Sequence, residues 1–323
     1  MPCCNPPRAP LEAVLAALRR QTLPREQWEL LVVDDASREP LTGTLDLAWH
    51  PAARTVATDE RREGLGLVGA RLRGFELGRG SVFVFVDQDN ALHPDYLEKV
   101  FAIHREWPRL GTWGGQIFLK FEDPTKIPPR LLQGELCTRE LGADLWSNDI
   151  QHHASTPWGA GFCARREVLE LHRNRVLAQP MRRLLDPTPR RAGFGGDTDI
   201  AYTGCEHGYG KGVFAGLRLD HLIPPGRCTE AYLLRSLENK GYSSVLHGFV
   251  TEGRVRAPRT DWRHFLMTAL RAPRTPALAR KAERAQRRGG FRAVRELETQ
   301  RAELEAYARV LHERAVALSG RRP

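Results

Sequence analysis

The sequence predicts an α/β protein built on a doubly wound sheet, and three observations carry that prediction. Two short apolar runs end abruptly on carboxylates: Leu30-Leu31-Val32-Val33 enters Asp34-Asp35, and Val82-Phe83-Val84-Phe85-Val86 enters Asp87-Gln88-Asp89-Asn90. Neither run has a helical period, so each reads as a strand buried on both faces of a parallel sheet. Segments with helical spacing alternate with these runs through the first half of the chain, as strand and crossover helix do in such folds. A core holds unpaired carboxylates only at a penalty of several kcal/mol. In open α/β sheets, ligands bind in the crevice beyond the carboxyl ends of the strands. The acids are therefore expected to face a shared ligand. Asp-x-Asp is a spacing that lets neighbouring oxygens reach one divalent cation and the phosphates it carries.

Each element follows from local pattern. Leu11, Val14, Leu15 and Leu18 recur at helical spacing, and Thr22-Leu23-Pro24 ends that helix before the Leu30–Val33 strand. Arg54-Thr55-Val56-Ala57 is a weaker strand candidate. Gly64 to Gly78 carries a helix with Ala70, Arg71, Gly74 and Phe75 near one face, leading to the Val82–Val86 strand. After the Asp-x-Asp turn, Pro94 suits the first turn of a helix and Asp95 its dipole, with Leu97, Val100, Phe101 and His104 following. The second half is less regular. A strand is expected around Ile117-Phe118-Leu119, then a proline-bearing loop from Asp123 to Leu136. Trp158-Gly159-Ala160-Gly161-Phe162-Cys163-Ala164 reads as a glycine-hinged strand entering a helix over Arg165–Leu171. Residues 174–194 are basic and proline-marked, which predicts a mobile loop. Asp197 to Gly208 reads as a helix capped by Thr198 or Asp197 and ended by Gly208. A strand over Gly212–Leu219 then delivers His221.

Composition narrows the class. At 323 residues the chain has room for one large domain or two smaller ones. Its 41% hydrophobic and 27% charged content is that of an ordinary globular protein. No apolar run approaches the roughly 20 residues of a membrane span, and the N-terminus lacks the basic and apolar regions of a signal peptide. The six cysteines show no metal-ligand or redox spacing, and the adjacent Cys3-Cys4 is not a disulfide geometry, so a cytoplasmic location is expected. Of the net charge of +10, residues 271–323 hold +8, from 14 Lys/Arg against six Asp/Glu. The body is near neutral, which argues against a nucleic-acid partner.

The motifs, taken in order, resemble those of family 2 glycosyltransferases, the inverting nucleotide-sugar enzymes of GT-A fold, from about Pro2 to about Tyr242. Pro2-Cys3-Cys4-Asn5 is similar to the end of that family's first strand, and Gln21-Thr22 with Glu29–Ser37 to the stretch holding the uracil-binding acid. Ala70-Arg71 resembles its Ala-Arg-Asn helix start, and Asp87–Asp89 its Asp-x-Asp. Gly159-Ala160-Gly161 resembles the acceptor-side glycine strand, Gly196-Asp197-Thr198-Asp199 the Glu-Asp base motif, and His221-Leu222-Ile223-Pro224 a late metal-binding segment. An Asp-x-Asp alone is common; seven such pieces in family order are specific.

The resemblance implies a Rossmann-like GT-A sheet and a role for each matching residue. Asp35 would accept a hydrogen bond from the donor base, with Pro2, Asn5 and Arg71 also on the nucleotide-sugar side. Asp87 would contact the ribose or a metal-bound water. Asp89 and His221 would hold Mn²⁺ or Mg²⁺, and the cation the diphosphate. Trp158, Gly159 and Gly161 would line the acceptor side. Asp197 would be the general base that deprotonates the acceptor hydroxyl as it attacks the anomeric carbon, while the cation stabilises charge on the leaving diphosphate.

Departures and plainer readings stand beside these. Cys4 replaces the family's tyrosine, Leu72 its asparagine after the arginine, and Gly196 its glutamate before the base. The usual apolar residues ahead of Pro2 are missing, which predicts either a start farther upstream or a sheet short of a central strand. Asp34 and Asp35 also suit the capping of a turn. Asp87 and Asp89 also suit a solvated turn before the Pro94 helix, and Asp197 a first-turn acid. Asp199 reads as structural. Arg71 binds phosphate or base, or pairs with an acid; Trp158 stacks on sugar or is core. His152-His153 lacks the i, i+4 spacing of a metal pair and reads as surface.

Leu297, Leu304, Leu311 and Leu318 recur every seven residues. This predicts either a short coiled coil over 294–318, and hence a homodimer, or a helix packed on its own domain. The basic stretch Arg280–Arg295, ended by Gly289-Gly290, is either a contact for anionic lipid at the inner membrane face or a solvated linker. The expected organisation is a GT-A domain over 1–245, with a nucleotide-sugar half at about 1–120 and an acceptor half at 121–245, then a basic helical extension over 246–323. The expected function is metal-dependent, inverting transfer from a UDP-sugar to a glycan, glycolipid or small-molecule hydroxyl. The alternatives are a catalytically impaired nucleotide-sugar-binding partner protein and a sugar-nucleotide nucleotidyltransferase.

Overall fold

A computed structural model of the chain describes residues 1–58, 64–258 and 276–318. In chain order the strands are β1 (Pro2–Cys3), β2 (Leu30–Asp34), β3 (Ala53–Ala57), β4 (Val82–Phe85), β5 (Asn90–Leu92), β6 (Leu110–Phe121), β7 (Leu145–Ser147), β8 (Phe162–Arg165) and β9 (Gly210–Ile223). The helices are α1 (Arg8–Arg19), α2 (Gly66–Leu77), α3 (Tyr96–Glu106), α4 (Arg130–Gln133), α5 (Arg166–Ala178), α6 (Gly196–Glu206) and α7 (Glu230–Glu252). Two more follow, α8 (Ala277–Thr299) and α9 (Arg301–Leu318). The α/β class with a helical C-terminus is therefore as expected.

The strands form two sheets. A parallel sheet has the order β1-β2-β3, and a mixed sheet the order β4-β8-β6-β9-β5, with β7 added to β9. The long parallel pair β6–β9 is the spine of the mixed sheet, and its other pairings are antiparallel. This corrects the reading of Val82–Val86: β4 pairs antiparallel with β8 and is only half-buried over Val82–Val84. β2, by contrast, is buried along its whole length. Residues 1–3 line one edge of β2, where Met1 donates its ammonium to the Leu31 carbonyl at 2.8 Å and Met1 O accepts Val33 N–H at 2.8 Å. Among the described residues no strand pairs with the other edge of β1. Side chains join the sheets instead, since one core cluster includes Met1, Val32, Val86, Tyr96, Trp113 and Leu219.

The C-terminal half departs further from expectation. Residues 174–194 are a loop only in part: α5 runs to Ala178, a 3₁₀ turn at Pro180–Leu185 buries Met181, Leu184 and Leu185, and 186–194 hold no helix or strand beyond one isolated bridge. These pack against Tyr242 of α7 and against Leu297, Leu304 and Leu311. The heptad leucines thus face their own domain, and the chain breaks at Gln300 between α8 and α9, so no continuous coiled coil runs from 294 to 318. Gly289-Gly290 does not end a basic stretch but lies inside α8, against α7. A Cβ on Gly289 would lie 2.7 Å from the Glu238 carbonyl carbon and nearer still to its oxygen, and one on Gly241 2.8 Å from the Gln286 carbonyl carbon. Missing side chains let the two backbones touch. The basic face of α8 is partly matched by acids of α7: Lys281 with Glu230, and Arg288 and Arg292 with Glu238. The expected domain boundary at 245–246 falls inside α7, where a linker does not sit. Residues 259–275 of the expected extension lie outside the described residues. Among the described residues no helix is long and apolar enough to cross a membrane.

Candidate active site

The carboxyl end of β4 and the start of β5 place Asp87 and Asp89 at the mouth of the mixed sheet, because the β-branched run supplies the strand and Asn90 N–H closes a turn onto Asp87 O at 3.1 Å. Asn90 pairs with His221 across β5–β9, so strand register brings the histidine to the Asp-x-Asp. His221 Nε2 lies 3.5 Å from Asp89 Oδ2. Its Nδ1 faces the Leu136 carbonyl at 2.8 Å. A carbonyl only accepts, so Nδ1 donates there and Nε2 is the nitrogen turned toward Asp89, an orientation common among metal-binding imidazoles.

The residue that sequence reasoning missed here is Arg227, on the 3₁₀ turn Pro225–Cys228. Its Nη1 donates to Asp89 Oδ2 at 2.8 Å and lies 3.4 Å from His221 Nε2. The guanidinium stands between the two expected ligands. Burial alone would raise the Asp89 carboxyl, but the hydrogen bond and charge of His221 and then Arg227 outweigh it and hold it below the usual range. Asp87 behaves oppositely: burial and the neighbouring Asp89 charge push it up to about 6 against the pull of Arg71. Asp89 is an oxygen ligand of the type a hard cation takes and His221 a nitrogen ligand suited to a transition metal, and among the described residues no cluster of three such ligands stands here. The pair fits such an ion only once Arg227 moves aside.

Arg71, on α2, is buried and pairs with Asp186 at 2.8 Å, with Asp87 at 3.9 Å. Burial works against its charge, but Asp186, Asp87 and Asp197 together outweigh that and raise it. Among the described residues its Nε has no hydrogen-bond partner. Gly159 lies where Arg71 meets Asp197: a Cβ there would be 3.1 Å from Arg71 Nη2 and 3.5 Å from Asp197 Oδ2. Asp197 sits in the first turn of α6, half-buried, with Oδ1 accepting Thr198 N–H at 2.7 Å and Oδ2 turned toward Gly159. Neither Asp197 nor Thr198 caps that helix. Gly195, at φ 121°, is the N-cap, and Gly196 N–H goes to Asp186.

Other expected residues have different surroundings. Asp35 has local partners: its Oδ1 accepts from Leu65 N–H at 2.7 Å and Thr58 Oγ1 at 2.8 Å, and its Oδ2 accepts Gly66 N–H at 2.9 Å. Two of these donors come from the start of α2, whose unpaired N–H groups and dipole favour an anion, and Oδ2 keeps room for one more donor. Burial raises its carboxyl, and those three hydrogen bonds oppose the rise. Asp34 accepts the Ser37 and Leu41 N–H groups, one on each oxygen. Pro2 pairs with Val33 in β1–β2. Asn5, at φ 46°, bonds Ser37 and Arg38 and shapes the 36–38 turn. Gly161 turns its Cβ direction to the core. At φ 66°, a Cβ there would meet Tyr96 Oη at 2.5 Å and Leu219 Cδ2 at 2.6 Å, both in the core. Trp158 is half-buried with the Arg139 guanidinium 3.8 Å above its ring. Burial lowers Arg139 to about 10, against the pull of Asp197. His152 and His153 bond Ser155 and Tyr202.

Comparison with known protein families bears on the first half of the chain. The sequence profile described as "Glycosyl transferase family 2" matches residues 1–170, just over half of the chain. The Bacillus subtilis (strain 168) protein EpsH, described as a glycosyltransferase, is 29% identical over 90 residues. That stretch is 28% of this chain and spans only 25% of that relative's length. Among solved structures, S. aureus TarS 1-349 has a TM-score of 0.46 at 14% identity, over 99% of this chain and 88% of that one. GalNAc-T7 with UDP, GalNAc and Mn²⁺ has a TM-score of 0.48 at 16% identity, over 87% of this chain and 55% of that one.

Proposed function

The chain belongs to glycosyl transferase family 2, and from that premise we propose that it moves a sugar from a UDP-sugar to an acceptor hydroxyl with inversion. Asp197 is the base in this reading, and Asp89 with His221 holds a Mn²⁺ or Mg²⁺. The observation that supports it most is the junction at Gly159, where Oδ2 of Asp197 and the buried Arg71 guanidinium meet beside Asp87. An acceptor hydroxyl lying against Gly159 gives its proton to Asp197 Oδ2 as its oxygen attacks the anomeric carbon. The C–O bond to the diphosphate breaks on the opposite face, so one displacement inverts the centre. Arg71 carries fixed positive charge toward Asp87 and the phosphate side, and it needs no reorganisation during reaction. A bound divalent cation would supply Lewis-acid stabilisation of the leaving diphosphate. Arg227, a third exposed, would have to leave Asp89 for such an ion to be held there. Trp158 offers an aromatic face, and Arg139 a cation, to the acceptor.

Release of nucleotide from a panel of UDP-, GDP- and dTDP-sugars, with Mn²⁺ or with chelator, tests this. UDP release confined to Mn²⁺ or Mg²⁺, with an inverted anomeric product by NMR, is expected. Retention of configuration, or turnover in excess chelator, overturns it. A second reading, a nucleotide-sugar-binding partner without turnover, draws on one observation: Arg227 bridges the two expected metal ligands. UDP binding without turnover on any donor favours it.

A further inference from the structure

We propose that Asp186 is a positioning residue for the base, its carboxylate filling from a distant segment the space that a side chain at Gly196 would occupy directly before Asp197. The inference rests on the transfer reading, with Asp197 as base. It is carried by what surrounds Gly196. A Cβ on that glycine would lie 2.6 Å from Asp186 Cγ and 3.0 Å from Oδ1, with Oδ2 nearer still. The glycine is helical and has no positive φ. It is needed for space, therefore, and not for backbone conformation. The carboxylate in that space is buried, with a donor on each oxygen. Oδ1 accepts Gly196 N–H at 3.1 Å, the first amide of α6, and Oδ2 accepts Arg71 Nη1 at 2.8 Å.

Asp186 thereby fixes two groups of the site to each other. Arg71 reaches from α2 toward Asp87, and the start of α6 sets where Asp197 stands. The next residue extends the same junction, since Pro187 O accepts Leu67 N–H in the first turn of α2 at 2.8 Å. The direction of Asp197 Oδ2 depends on this placement, because Oδ1 is held by its own helix at Thr198 N. A plain ion pair with Arg71 would not require the carboxylate to stand on the Cβ direction of residue 196. That coincidence makes a specific demand. Two C–C bonds span about 2.5 Å, so a glutamate at 196 can put its carboxyl carbon where Asp186 Cγ now lies, if Asp186 is removed. The sequence carries a faint signal of the same thing, as Asp186 is the one acid between residues 174 and 194.

The test is a carboxylate swap. Asp186→Gly, Gly196→Glu, the double variant and the near-isosteric Asp186→Asn are compared by melting temperature, by calorimetric binding of UDP with Mn²⁺, and by kcat and KM with the active donor. Asp186→Gly is expected to lower kcat by about 10²-fold, the scale of a small misplacement of a reacting group, with donor KM little changed. Gly196→Glu alone is expected to melt earlier than wild type, from steric overlap and two buried like charges. The double variant is expected to regain the melting temperature of wild type and bring kcat back to within about tenfold, since supporting contacts act on a scale of 10–100-fold. A double variant no more stable than the worse single overturns the shared placement. Regained melting temperature without regained kcat leaves a structural ion pair and overturns the positioning role. A wild type without turnover on any donor overturns the transfer reading and with it the role toward a base, while the melting temperatures still decide whether one carboxylate replaces the other.

Discussion

The acids of this site differ in what they can still do, and their hydrogen bonds decide which. Asp35 takes two donors from a helix start and one from Thr58; among the described residues Asp197 takes its donors on Oδ1, with Oδ2 turned to Gly159. Asp197→Asn preserves shape and the Thr198 contact but cannot take a proton. It is expected to bind UDP normally and to lose transfer by roughly 10²–10⁴, the usual range for a general base, as initial rates against calorimetric affinity will show. Asp89→Ala is expected to abolish Mn²⁺-dependent turnover with little change in circular dichroism, since the side chain sits at a strand end and not in apolar packing. Survival of turnover in that variant contradicts the assigned ligand. Asp199 shows a third fate. It is 1% exposed and bound by His172 and Arg182. Burial alone would raise its carboxyl, but the His172 hydrogen bond and charge, with Arg182, outweigh that and lower it below the ordinary 3.8. A folded value below the unfolded one means that its stabilisation is complete above the unfolded value and vanishes as pH falls through the folded one. Asp199→Asn strands the buried Arg182. It is expected to cost about 3–5 kcal/mol at pH 7, and urea unfolding should show wild type and variant converging in acid.

At the scale of elements, the crossing of α7 and α8 carries a definite demand for small residues. Gly241 and Gly289 sit where the two backbones meet, and the Arg292–Glu238 and Lys281–Glu230 pairs lie along the same contact. Those pairs are exposed and worth little each; the close approach is the stronger constraint. Gly289→Ala gains helix propensity of nearly 1 kcal/mol in isolation. Here its methyl would overlap the Glu238 carbonyl, so the expected net effect is a loss of about 1–3 kcal/mol. An increase in melting temperature would mean that α8 does not rest on α7 as closely as this. The six-residue turn Pro180–Leu185 lies beneath the same layer, and it leads directly into Asp186.

For the whole molecule, the C-terminal helices are part of what holds the site. Leu304 and Leu311 of α9 share a buried cluster with Met181, Leu184 and Leu185, one residue from the carboxylate that binds Arg71 and Gly196. Leu304→Ala is expected to destabilise the chain by about 2–5 kcal/mol, as for other buried leucines. The seam faces inward, so the loss should not depend on protein concentration. A melting temperature that rises with concentration in wild type, and loses that dependence in the variant, would instead assign the seam to a second copy.

What the sequence by itself determined is what is written within ten or so residues. The β-branched run ahead of Asp34-Asp35, the helical spacing of Leu11, Val14 and Leu18, and the order of the acidic motifs all reappear, as β2, α1 and the strand-end turns. Apolar period and strand propensity are local, and burial only confirms them. The orientation of β4 was not legible, because an apolar run of four residues is compatible with either direction of pairing. Nor were the fates of the acids. Asp89 meets Arg227 from 138 residues away and Arg71 meets Asp186 from 115, and no local pattern encodes such a partner. The buried turn within 174–194 was hidden for the same reason: its basic, proline-marked surface reads as loop until α7 and α9 cover Met181, Leu184 and Leu185. Only tertiary structure decided which donors each carboxylate takes, because a carboxylate's chemistry is set by the donors and the burial that the rest of the fold brings to it.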